Sequence, residues 1–160
     1  MTATIYAIGY TALREPEIFV GELVRQKGST GSKGRYERSS LGPAEVEEHA
    51  ARLLEVMDEA KPHREASLRL DDLAALVNLH PHLLSQVINQ RFEQNFNDFV
   101  NRYRVEEAKR LLSDPRRVGD SLLSLAFEAG FNNKTSFNEA FKKHAGVTPS
   151  QFRASSLAAR

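Results

Sequence analysis

SLLSLAFEAGFNNKTSFNEAFKKHAGVTPSQFR, from Ser121 to Arg153, is the stretch that decides the fold of this chain. Apolar residues recur at helical spacing as far as Ala129, break at Gly130-Phe131, resume beyond Asn133 and break again at Gly146. This predicts a helix, a tight turn, a second helix starting near Asn133, and a short capped helix after Gly146. The gap at Gly130 is too tight for two helices that are merely connected; it has the length of a helix-turn-helix. In such a unit the first helix braces and the second enters the DNA major groove with its N-terminal residues toward the bases.

Working outward, a weaker copy lies upstream in LDDLAALVNLHPHLLSQVINQRF, Leu70 to Phe92. Leu73-Ala74 matches Leu125-Ala126, and Val77-Asn78-Leu79 matches Ala129-Gly130-Phe131, at an offset of 52 residues. Leu84 and Ile88 match Phe137 and Phe141 at an offset of 53, so the downstream turn carries one extra residue. Gly130 stands where a residue of positive φ is expected, and Asn78, the next best residue for that conformation, is its counterpart. Between the copies a helix is predicted over about 96–113, with Asn95 as N-cap, Asp98 three residues on, and Pro115 beyond its end. Its apolar face is Phe96, Phe99, Val100, Tyr103, Ala108, Leu111 and Leu112. About 17 residues make a strut of roughly 25 Å.

These spacings resemble the DNA-binding domain of the AraC/XylS family of bacterial transcription regulators over residues 67–153. The resemblance is carried by Ala126, Gly130, Phe131, Phe137, Phe141, Gly146, Thr148, Pro149, Phe152 and Arg153. It implies a sequence-specific regulator with double-stranded DNA as partner, RNA polymerase as a further candidate, and two recognition helices entering successive major grooves. The other function class in view is a protein-interaction or signalling fragment of a membrane-anchored regulator, with weak DNA binding of its own.

The residue types at the reading positions have chemistry that suits bases. Downstream these are Lys134, Thr135, Asn138 and Glu139, on the side of the second helix away from Phe137 and Phe141. Lys donates to guanine, Asn pairs with adenine, Glu accepts from cytosine N4, and the Thr methyl meets a thymine methyl. Glu139 departs from the commoner basic residue of the family. Upstream, His82, Ser85 and Gln86 take the corresponding places, with Pro81 in the first turn and His80 where a Ser/Thr cap is usual. Arg91, Arg102, Arg104, Ser136, Lys142 and Lys143 are candidates for phosphate contacts, which position without specifying. Gly130, Phe131, Phe137, Phe141 and Pro149 are expected to be structural, and Thr148-Pro149-Ser150-Gln151 reads as a capping box.

The fold class expected is therefore all-α: two helix-turn-helix subdomains joined by a linker helix, preceded by a short amphipathic helix and a flexible N-terminal segment. The boundaries predicted are 1–42 for that segment with its basic Gly/Ser linker, 43–66 for the amphipathic helix and connection, 67–153 for the DNA-binding domain, and 154–160 for a tail. In the 43–60 helix, Val46, Ala50, Leu53, Leu54 and Met57 share one face, either a packing face or a homodimer seam. Residues 2–13 are mostly apolar but are cut off by Arg14-Glu15, short of the roughly 20 residues of a membrane span. They fit either the end of an anchoring helix, as in a membrane-bound subgroup of similar proteins, or the start of a free-standing regulator.

Composition narrows the rest. With no cysteine the chain has neither a disulfide scaffold nor a thiolate zinc site, and it suits a reducing cytoplasm, or the cytoplasmic face of a membrane if it is anchored. The net charge of +1 is uneven: residues 67–160 carry 13 Lys/Arg against 10 Asp/Glu, and residues 1–66 carry 9 against 11. His80 and His82 lie on different faces of a helix with no third ligand nearby, so no metal is expected. The adjacent pairs Asp71-Asp72 and Glu106-Glu107 do not converge on a substrate, no cofactor or effector site is identifiable, and no enzymatic activity is expected.

Overall fold

Capping and breaking residues set the length of each helix in the computed structural model, which describes residues 41–158. The apolar opening and the basic Gly/Ser linker lie outside the described residues. Among the described residues there are seven α-helices and no strand, and no helix is long and apolar enough to cross a membrane.

Helix α1 runs Pro43–Glu59, with Pro43 at its first position and the Glu45 carboxylate accepting the Gly42 N–H at 2.8 Å. A left-handed Lys61 and a 3-10 turn, Pro62–Arg64, follow. Helices α2 (Leu70–Leu76) and α3 (Pro81–Phe92) form the upstream unit, and the chain turns between them on Asn78 at φ 55°. The linker helix α4 spans Phe96–Leu112, capped as expected by Asn95, whose side chain accepts the Asp98 N–H at 2.9 Å. Helices α5 (Leu122–Glu128) and α6 (Lys134–Ala145) form the downstream unit around Gly130 at φ 95°. Helix α7, Pro149–Ala158, closes the domain behind its capping box: Thr148 N–H donates to Gln151 Oε1 at 3.0 Å, and Gln151 N–H donates to Thr148 Oγ1 at 3.3 Å. The helix runs through most of the stretch expected to be a tail.

Apolar residues collect into two cores that share α4. The upstream core joins Leu73, Leu84, Ile88, Phe99 and Val100 with Leu53 and Met57 of α1. The downstream core joins Val105 to Leu112 with Leu125, Ala126, Phe131, Phe137 and Phe141. The small Ala126 and Ala129 are fully buried, which lets α5 and α6 approach closely. Phe131, Phe137, Phe141 and Phe152 form a ladder with successive ring centroids 5.2, 5.6 and 5.6 Å apart, in the tilted and edge-on arrangements aromatic rings prefer.

The amphipathic stripe of 43–60, left open between a packing face and a dimer seam, is a packing face: Leu53 and Met57 are completely buried in the same core as α2 and α3. That burial removes the face offered as a homodimer seam: Val46, Ala50, Leu53 and Met57 pack inward, and of the five only Leu54 is exposed. An amphipathic stripe looks the same whether it covers its own domain or a second copy.

Candidate nucleic-acid interface

The second helix of the downstream unit is held at its start by Asn133. Its Oδ1 accepts the Ser136 N–H at 2.8 Å, and its Nδ2 donates to Asn132 Oδ1 at 2.7 Å. From that anchor the helix divides cleanly. Phe137, Ala140 and Phe141 are buried, while Lys134, Thr135, Asn138 and Glu139 are exposed. The four candidate readers thus form one open polar face over an aromatic floor. Glu139, Ser136 and Lys143 also line a shallow polar cleft between α6 and α4, together with Asp98, Asn101 and His144.

The upstream helix is more enclosed. His80 caps α3 without a side-chain hydrogen bond, and Pro81 takes the first position, where a missing N–H costs nothing. His82 is exposed, its ring centroid 6.3 Å from that of His80. Ser85 and Gln86 are half-buried, and Val87, absent from the sequence reading of the core, is completely buried. Helix α1 packs along α3 and is tied to it by Arg91 Nε donating to Glu47 Oε2 at 3.0 Å.

The candidate phosphate residues separate by their partners. Lys142 is exposed, and Lys143 reaches Asp98 Oδ1 at 2.6 Å. The Arg102 guanidinium lies over the rings of Phe92, Phe99 and Tyr103 at 5.9, 5.5 and 5.5 Å. Arg104 turns toward the main chain, its Nε donating to the His63 carbonyl at 2.8 Å and its Nη2 to the Glu65 carbonyl at 2.9 Å, with the guanidinium over the Phe131 ring. Its guanidinium thus has main-chain acceptors as partners within the domain.

Arg104 belongs to a polar cluster that the sequence did not disclose. Glu107 is only 7% exposed and accepts from Arg64 at 2.5 Å and from Arg110 at 2.6 Å. The Arg110 hydrogen bond, with that of Arg64, holds the Glu107 carboxyl down at about 2. His63 is buried against Tyr103, ring centroids 5.6 Å apart, and burial lowers its pKa to about 4.

These shifts give an acid-stability prediction. An unfolded His63 takes up a proton near pH 6.5, whereas the folded one does so only near pH 4. Between those values the unfolded state binds more protons, so stability falls as pH is lowered. Glu107 acts lower: its contribution is complete above its unfolded value of 4.5 and is lost as pH falls toward about 2. Thermal melts from pH 7 to pH 4 should show a falling midpoint, and His63→Gln should flatten much of that decline. His144, also lowered by burial, accounts for a residual slope. A variant as acid-sensitive as the parent would show that His63 is not the group responsible.

Two helix-turn-helix units on a shared strut, with an open polar face on the downstream second helix, have the architecture of a bipartite DNA-binding domain. A family profile described as "Helix-turn-helix domain" matches residues 73–155, more than half of the chain, and the chain belongs to this AraC-type helix-turn-helix family. It is similar to the regulatory protein PocR of Salmonella typhimurium, 29% identical over 116 residues, which are 72% of this chain and 36% of that protein. It is also similar to the melibiose operon regulatory protein of Escherichia coli (strain K12), 26% identical over 87 residues, 54% of this chain and 28% of that one. The chain therefore spans about a third of the length of these curated relatives. A transcriptional regulator with an AraC-type DNA-binding domain from Chromobacterium violaceum superposes with a TM-score of 0.58 at 19% identity, covering 71% of this chain and 96% of that one, a likeness that shows the fold.

Proposed function

We propose that this chain acts as the sequence-specific DNA-binding part of a bacterial transcription regulator working in the cytoplasm, with α3 and α6 entering successive major grooves. The observation that carries the reading is the division of α6: four exposed groups able to read bases, fixed over a buried aromatic floor by a capped first turn. Such a helix meets a duplex with its backbone, and so the starting points of its readers, already fixed, which lowers the cost of ordering on binding. The two readers are unequal. Lys134 and its neighbours stand open, whereas Ser85 and Gln86 are half covered, so α6 contributes more of the discrimination.

Binding-site selection from random duplexes tests this. The parent should select an asymmetric site with two elements about one helical turn, or roughly 34 Å, apart. Lys134→Ala should relax one base position in one element by about 1–3 kcal/mol, and Gln86→Ala should relax a position in the other by a smaller amount within that scale. A selected motif unchanged in both variants would end the claim that these helices read bases. A palindromic site with one reader per half would end the bipartite arrangement.

A further inference from the structure

Besides the packing of α6 along α4, two contacts that link the upstream half to the downstream half stand out among the described residues. One is the exposed Lys143–Asp98 ion pair, 60% and 30% accessible, of a kind that contributes little. The other is better enclosed. The Pro62–Arg64 turn emerges from α1 and returns through Leu68 to the upstream core, so both its ends are fixed there. Its middle crosses α4 and rests on the main chain at Gly130, the hinge residue of the downstream unit. A Cβ added at Gly130 would overlap the His63 carbonyl oxygen and come within 2.9 Å of the Arg64 Cα. Gly130 therefore leaves a notch that the turn fills.

Two charged residues of α4 hold the turn in that notch. Arg104 grips it by two carbonyls, His63 and Glu65, and Glu107 holds it by the Arg64 side chain. Both gripping residues are three or four positions from buried apolar residues of α4, so their side chains are fixed at the base. The turn is thus an extension of the upstream half pressed against the hinge of the downstream half.

We propose that the Pro62–Arg64 turn sets the bearing of α6 relative to α3, with Arg104 and Glu107 as positioning residues for DNA recognition. This rests on the reading above that both helices enter DNA. Residues more than sixty positions before α6 would then determine which spacing of the two DNA elements the domain accepts. A structural role alone would lower stability without changing that spacing.

The test uses the full chain and the site selected by the parent, together with copies carrying one base pair more or one fewer between the elements. One such step moves an element by about 3.4 Å along the duplex and about 36° around it. The parent should bind the altered spacings about tenfold more weakly, whereas Arg104→Gln and Glu107→Gln should cut that penalty to about threefold. Arg64→Gln removes the outer grip at a residue whose side chain is 43% accessible; it serves as the variant least liable to misfold and should act in the same direction. Melting temperatures measured alongside separate the two roles. Variants that melt lower yet keep the parent's full spacing penalty overturn the proposal. A parent that selects only one element overturns the two-helix reading beneath it, and the proposal with it.

Discussion

Replacing Gly130 with valine is expected to cost this domain a large share of its stability. Gly130 sits at φ 95°, where a β-branched residue is strained by about 1–3 kcal/mol. The overlap with the His63 carbonyl and the Arg64 Cα adds to this, and both obstacles are main chain that cannot rotate aside. A domain of this size has about 5–15 kcal/mol in total. Gly146 supplies the control. It too lies at positive φ, 74°, but an added Cβ there meets nothing within 4 Å. Gly146→Ala should therefore show the conformational cost alone, about 1–2 kcal/mol, and Gly130→Ala should exceed it. Equal losses in chemical denaturation would mean that the turn does not rest on Gly130 in solution.

Phe141→Ala is the second large effect expected, a loss of about 3–5 kcal/mol. The ring is completely buried and sits between Phe137 and Phe152, each 5.6 Å away. Its removal opens the centre of the aromatic ladder, which holds α6 and α7 together and supports the reading face from beneath. Below its melting point the variant should still select the parent's motif, because no reader has been touched. A melting temperature within a degree or two of the parent's would show that α6 does not turn this face inward.

Why these positions were legible, and others were not, follows from what spacing encodes. Phe137 and Phe141 lie four apart after a tight turn, and only one rotation of α6 buries both. That rotation fixed the exposure of Lys134, Thr135, Asn138 and Glu139 at the same time. The fold, the linker helix and both left-handed turn residues were readable on the same ground. The place of α1 was not, since its stripe carries no record of what covers it. The main-chain partners of Arg104 were not legible either. Val100, Arg104 and Ala108 share one face, as do Tyr103, Glu107 and Leu111, so both charged residues stand on the apolar side of α4. That pattern announces buried charges in need of partners. It does not announce that the partners are a turn some 40 residues upstream, which only the tertiary contacts supply.

The sharing of α4 between two cores has a thermodynamic consequence. Phe99 and Val100 belong to one core, and Val105 through Leu112 to the other, so neither half owns a complete helix. Cut at its midpoint, the strut would leave each half about two turns, too short to persist alone in water. Melting one half therefore removes part of the scaffold of the other, and the opening free energies of the halves are coupled rather than additive. What looks in sequence like a tandem duplication of independent modules is expected to melt as one unit. A destabilising change in either half is then expected to lower the stability of both.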